Sequence, residues 1–284
     1  MAQFTNQAQL SYNDRTINSN TTIGNLVEAL SATKDAVLSD YSQNDAMTYV
    51  INLVNSGATP LTDITVSDNL GGYPVNSTTV YPLAYSAGSV KYYVNGILQA
   101  TPSVTAGPPL VITGITIPAG GNAAIVYEAT LTAYAPQAVG STIENTATVS
   151  GTGITSPLSA AATVTASTDP DLAIVKSVDP STVSGTGTLT YTFVIQNYGN
   201  SEADVSDNIV VRDTFNPILG NLTASLNGSI LTAVTDYAYD GSTGVFSTVA
   251  GRITVPAATF TQDPTTGAYT VTPGTTILTV SGTV

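Results

Sequence analysis

Thr48-Tyr49-Val50-Ile51-Asn52-Leu53-Val54-Asn55-Ser56-Gly57 is rich in β-branched and aromatic residues and ends on a turn signal, the mark of a strand. It returns as Thr190-Tyr191-Thr192-Phe193-Val194-Ile195-Gln196-Asn197-Tyr198-Gly199. Upstream of the two copies stand Leu30-Ser31-Ala32-Thr33-Lys34 and Leu172-Ala173-Ile174-Val175-Lys176, with Lys to Tyr spaced by 15 residues in both. Downstream stand Ile64-Thr65-Val66-Ser67-Asp68 and Ile209-Val210-Val211-Arg212-Asp213. One module is therefore present twice. Its first copy continues through Val90 to Val94 before an Asn95-Gly96 hairpin turn, then Leu110 to Ile117, Ala123 to Thr132 and Thr142 to Ser150. Short strands with turn signals at this spacing predict an all-β chain of two tandem immunoglobulin-like β-sandwiches. The expected divisions are an N-terminal segment over 1–29, a first domain over 30–168 and a second over 169–284.

The second copy stops early. Its last strand, Thr276 to Val284, follows Pro273-Gly274 and corresponds to Ala123 to Leu131 after Pro118-Ala119-Gly120-Gly121. Nothing in it matches Ile143-Glu144-Asn145-Thr146-Ala147-Thr148-Val149-Ser150, the last predicted strand of the first copy. That strand has its match at the start of the chain, in Phe4-Thr5-Asn6-Gln7-Ala8-Gln9-Leu10-Ser11. By the two-residue period Phe4, Asn6, Ala8 and Leu10 share one face, the inward one if the segment fills a sandwich. The polar stretch 13–29 reads as a linker, with or without a strand in it.

The chain is thus a two-domain repeat cut out of phase with its domains. Lys34 to Asn145 is 111 residues, and Lys176 to Asn6 of a copy placed after Val284 is 114. The expected acceptor edge is the last strand of domain 2, through Ile277, Thr279 and Ser281. An unfilled sandwich exposes unpaired backbone groups, which an inserted strand satisfies. Exchange between copies joins opposite ends of the chain and so generates an open fibre. Self-filling within one chain is the other solution.

Composition narrows the function classes. Of 284 residues 42% are hydrophobic and 9% charged, and 19 acids against 6 bases leave a net charge of -13. That balance disfavours nucleic acid and anionic membrane surfaces as partners. With no cysteine and no histidine, thiol chemistry, disulfides and a histidine general base are excluded. No window approaches the ~18 apolar residues of a membrane span, and no secretory signal is visible at Met1-Ala2-Gln3-Phe4, so no membrane insertion is expected. No cofactor and no enzymatic turnover are expected. Asp204, Asp207, Asp213, Asp236 and Asp240 lack the spacing of a calcium loop and read as solvated loop acids.

The motifs Leu30 to Lys34, Leu172 to Lys176, Tyr49 to Gly57, Val66-Ser67-Asp68-Asn69-Leu70 and Ile143 to Val149 resemble the bacterial surface repeat called domain of unknown function eleven, an immunoglobulin-like module. The resemblance covers nearly the whole chain. A chain of two such modules also looks like the structural proteins of clostridial endospore appendages. Those are made in the mother cell, which implies an extracellular, spore-surface location without a signal peptide. The implied partners are other copies of the chain in a homopolymer and an unidentified anchoring protein.

One constellation carries chemistry. Lys34 and Lys176 take the same position in the repeat, each with an aspartate, Asp68 or Asp213, on a core strand and an Asn partner, Asn145 or Asn6 of a neighbouring copy. Lys, Asn and a carboxylic acid in this fold resemble the self-formed isopeptide bonds of Gram-positive pili and adhesins. Burial frees the amine as a nucleophile and keeps an acid neutral, so that its proton can polarise the Asn carbonyl while ammonia leaves. Glu128 is a rival acid in the first domain, with Ser281 at its place in the second. The bland alternatives are a solvated strand-end lysine, an aspartate capping a turn and an asparagine bonding backbone. The rival function is an adhesin or glycan-binding module, with recognition through Gly71-Gly72-Tyr73 and Tyr237-Ala238-Tyr239.

Overall fold

The computed structural model describes residues 2–26, 29–43 and 45–284. Met1 of the expected donor segment and Val27 and Glu28 of the expected linker lie outside the described residues. The described chain is all-β, and the one helical feature is a single 3-10 turn, Val205–Asp207.

The chain begins as a bent two-stranded ribbon. β1 (Ala2–Asn6) and β2 (Gln9–Tyr12) run out, and β3 (Arg15–Asn18) and β4 (Thr22–Leu26) return. β1 pairs with β4 and β2 with β3. The reversal uses Asn13 and Asp14 at φ 44 and 57, the left-handed region these two residue types tolerate in tight hairpins. Most of the stretch expected as a linker is therefore the second arm of a hairpin. Phe4, Leu10 and Ile17 are more than half exposed, so the hairpin carries apolar residues that nothing among the described residues covers.

The first domain stacks two sheets. β5 (Leu30–Ala36), β6 (Ala46–Asn55), β7 (Leu61–Asp68), β8 (Lys91–Val94), β9 (Leu110–Ile117), β10 (Asn122–Leu131), β11 (Thr142–Ser150) and β12 (Leu158–Ala166) carry it. One sheet runs β8, β10, β6, β5, and the other β9, β7, β11, β12 with Asp40–Tyr41 at its edge. Period-two alternation places Tyr49, Ile51 and Leu53 of β6, Val66 of β7, Ile125 and Tyr127 of β10 and Ala147 and Val149 of β11 in one buried core. β7 is hydrogen-bonded on both sides, to β9 and to β11. β12 pairs with β11 and packs against β5, closing the sandwich on that side.

The second domain has its own core, built on Phe193, Ile195, Phe215, Phe246, Leu278 and Val280. Its strands are β13 (Leu172–Asp179), β14 (Thr188–Asn197), β15 (Arg212–Thr214), β16 (Gly220–Leu226), β17 (Tyr237–Asp240), β18 (Val245–Thr248), β19 (Thr259–Gln262), β20 (Tyr269–Thr272) and β21 (Gly274–Thr283). One sheet runs β13, β14, β21, β16, repeating the first sheet of domain 1. The other has three strands, β15, β18, β17, with β15 at its edge. Strands equivalent to β11 and β12 are absent from it among the described residues.

This arrangement corrects the expected acceptor edge. Ile277, Thr279 and Ser281 lie on β21, which is paired along its length with β14 and again with β16. A strand bonded on both sides offers no edge. The open edge is β15, the counterpart of β7, bonded only to β18. Order along the chain had suggested the last strand, but order in the sheet differs from order in the chain.

Domain 2 also carries an insertion. Pro256 stands where domain 1 has Pro118, and the chain leaves as the β19–β20 hairpin before returning at Gly274 beside the Pro256 carbonyl. This hairpin reaches domain 1. The Tyr269 amide donates to the Ala133 carbonyl at 2.7 Å, Asn76 Nδ2 donates to the Pro264 carbonyl at 2.7 Å, and Gln262 Nε2 meets Tyr73 Oη at 3.2 Å.

Candidate crosslinking site

In domain 1 four side chains from four strands converge in the core. β5 delivers Lys34, β7 ends at Asp68, β10 supplies Tyr127 and β11 supplies Asn145, all at the inward phase. Lys34 Nζ lies 2.7 Å from Asp68 Oδ2, with the two side chains 0% and 1% exposed. Tyr127 Oη donates to the same carboxylate oxygen at 2.6 Å, and the Leu70 amide donates to Asp68 Oδ1 at 3.0 Å. Asn145 Nδ2 donates to Tyr127 Oη at 2.9 Å. The walls are aromatic: Lys34 Nζ sits 4.9 Å from the Tyr49 ring centre, and the Tyr49 and Tyr127 rings stack at 5.5 Å.

The energetics of this cluster are unusual for a structural ion pair. Burial pulls the Lys34 ammonium down to about 8, against the opposing pull of Asp68. That shift raises the share of free amine at neutral pH above what an ordinary lysine holds. Burial pushes the Tyr49 and Tyr127 phenols well above their usual range, so both stay neutral. Among the described residues Asn145 Oδ1 and Tyr49 Oη are buried without a well-formed hydrogen bond, although Asn145 lies close enough to Tyr49 to pull its phenol down against burial. An unmet buried carbonyl costs about 1–3 kcal/mol. Tyr127 Oη links the two halves of the cluster, donating to Asp68 and accepting from Asn145.

The remaining expectations sort clearly. Glu128 is exposed, one residue out of phase with Tyr127, so the rival acid points to solvent. Strand alternation alone carried that answer. Tyr127 carries no repeat signal, because its counterpart in domain 2 is Val280, opposite Tyr191 as Tyr127 is opposite Tyr49.

Domain 2 holds half of the same site. Lys176 Nζ pairs with Asp213 Oδ2, and the amine lies 4.7 Å from the Tyr191 ring centre and 5.5 Å from those of Phe193 and Phe215. Here the lysine side chain is 42% exposed, and the place of Asn145 is vacant in the chain's own domain. Asn6 lies on β1, exposed, opposite Thr22, whose Oγ1 donates to the Asn6 carbonyl at 3.1 Å. It is not brought to Lys176 within the chain.

The loop acids cap turns. Asp204 accepts from the Ser206 amide, Asp207 from the Asp204 amide, and Asp240 from Ser242 and Thr243. Asp236 pairs with Arg252. Among the described residues no three potential metal ligands cluster. The loops considered for recognition are committed to packing: Tyr73 donates to the Tyr134 carbonyl and meets the inserted hairpin, Tyr237 is buried, and Tyr239 donates to the Leu219 carbonyl.

No protein-family model matches the chain, and no curated protein matches it at a significant level. Among solved structures it is similar to the pilus backbone of Streptococcus pneumoniae, with 15% identity over 86% of this chain and 55% of that one and a TM-score of 0.33. This chain thus spans little more than half of that protein. It is also similar to the major pilin subunit of Bacillus cereus, with 13% identity over 95% of this chain and 73% of that one and a TM-score of 0.38. The collagen-binding domain of a Staphylococcus aureus adhesin gives 16% identity over 50% of this chain and 99% of that one, with a TM-score of 0.31. At these scores the likenesses carry no inference about function.

Proposed function

We propose that the chain is a structural subunit of an extracellular fibre, a spore or cell-surface appendage, which polymerises head to tail. The N-terminal segment of one copy fills domain 2 of its neighbour. The observation that carries this reading is the open edge of β15, at the position where β7 of domain 1 is bonded to β11. An edge with unpaired N–H and C=O groups beside an apolar face is costly in water, and a strand with the β11 pattern answers both needs. Because donor and acceptor sit at opposite ends of the repeat, each added copy leaves a new donor and a new acceptor.

Covalent locking belongs to the same reading. The Lys34 amine attacks Asn145 Cγ, the C–N bond to the side-chain amide breaks, and Lys34 Nζ keeps one hydrogen in the new amide. The departing nitrogen leaves as ammonia with the proton returned by Asp68, so atoms balance without any oxidant or cofactor. Lys176, Asp213 and Asn6 of the next copy would repeat the reaction between subunits. Deleting residues 1–26 tests the assembly: full-length protein forms fibres in electron micrographs and the truncated chain stays monomeric and folded. Fibres from the truncated chain would refute the reading. Ladders that survive boiling in detergent, lost in Lys176→Ala and Asn6→Ala, test the intersubunit bond, and migration of assembled material as monomer would sink it.

A further inference from the structure

We infer that the donated element is the whole N-terminal hairpin, with β3 and β4 replacing β12 while β1 and β2 replace β11. This rests on the strand-exchange reading and specifies what is exchanged. Three cross-strand pairs of the free hairpin reproduce those of the β11–β12 hairpin in the same order. Phe4↔Gly24 matches Ile143↔Val164, Asn6↔Thr22 matches Asn145↔Ala162, and Leu10↔Ile17 matches Val149↔Leu158. The ribbon thus keeps the same cross-strand partners as β11–β12 at both ends, with one extra residue in the second arm between Ile17 and Thr22 that the β11–β12 ladder does not have.

The acceptor independently asks for two strands. In domain 1, β12 covers β5, and Leu30 and Lys34 of β5 are buried. In domain 2 every residue of β13, the counterpart of β5, is exposed, including Leu172, Ile174, Val175 and Val178. Between β13 and Ile209, Val210 and Val211 lies an apolar cavity of about 170 Å³. One strand added at β15 would occupy the position of β11 and leave β13 uncovered. A second strand is needed to close the sandwich.

Gly24 stands where domain 1 has Val164, and the Phe4 ring lies directly over it. On the acceptor, Ile174 stands at the place of Ala32 in the repeat and is 54% exposed.

Benzoylphenylalanine at Ile174, an exposed position whose replacement leaves the core intact, reads out the contact in full-length chains. Modified copies are assembled with isotope-labelled wild-type copies and irradiated. The expected product is a mixed-isotope crosslink to a peptide from residues 15–26, with loss of the monomer band. Fibres that give crosslinks only to residues 2–12, or none, overturn the hairpin inference while leaving strand exchange standing. Failure of the wild-type chain to assemble overturns both. Two substitutions in the second arm provide an independent check. Ile17→Asp, on the Leu10 face, is expected to abolish assembly, whereas Ile23→Asp, at the solvent-facing place of Thr163, is expected to leave it unchanged. Tolerance of both would refute the inference.

Discussion

Replacing Asn145 with alanine separates a covalent site from an ordinary buried ion pair. The substitution spares the Lys34–Asp68 contact at 2.7 Å and the Tyr127–Asp68 bond at 2.6 Å, and removes the electrophile with its one hydrogen bond to Tyr127. If Lys34 and Asn145 are joined, the bond closes a loop of about 110 residues, which by chain entropy stabilises the domain by roughly 5 kcal/mol. The lost Asn145 to Tyr127 hydrogen bond and the small void add about 1–2 kcal/mol. For a domain of this size the melting temperature should fall by roughly 15–25 °C. Intact mass and calorimetry on purified monomer are the assays. Wild type should weigh one ammonia less than its sequence, and Asn145→Ala should show no such deficit. A wild-type mass equal to the sequence mass refutes the bond. A stability loss of only about 2 kcal/mol refutes the crosslink's share of the energy.

Asn145→Ala also exposes the titration of Lys34. With a folded value of about 8 and an unfolded value of 10.5, the unfolded chain holds a proton that the folded domain has lost across that window. Stability of the variant should therefore rise with pH between about 8 and 10, by at most about 3 kcal/mol in denaturant melts. Wild type, with an amide in place of the amine, should lack the rise. Above about pH 10 the buried tyrosines, held protonated in the folded state, should reverse the trend. Tyr127→Phe leaves Asp68 and Asn145 Nδ2 each short of a partner, and should cost roughly 2–3 kcal/mol by denaturant melts and slow the appearance of the ammonia deficit. Replacing residues 257–272 with a direct join of Pro256 to Pro273 removes the bonds to Ala133, Tyr73 and Asn76. Small-angle scattering should then report a broader distribution of interdomain distances, and an unchanged profile would show that the hairpin does not hold the domains together.

The sequence by itself determined the repeat, the inward phase of its strands and which polar side chains meet in the core of domain 1. All of these are periodic or positional properties that a linear chain displays. The alternation that buries Tyr49 and Ile51 places Lys34, Asp68 and Asn145 inward, and the same parity sends Glu128 out. The match of Phe4 to Ser11 with β11 was likewise visible, because one strand can be compared with another without knowing where either lies.

Only the tertiary structure decided which strand is an edge. Sheet order is set by hydrogen bonding between segments far apart in sequence, so β21 is last in the chain yet interior to its sheet, while β15 is open. It also decided that the polar stretch after Tyr12 folds back as a second arm, because its register rests on pairing with β1 and β2 rather than on an apolar pattern of its own. The contrast between Lys34, sealed and poised, and Lys176, paired but open to water, has the same origin. Their local sequences repeat, but burial is conferred by β11 and β12, which have counterparts in domain 2 nowhere among the described residues.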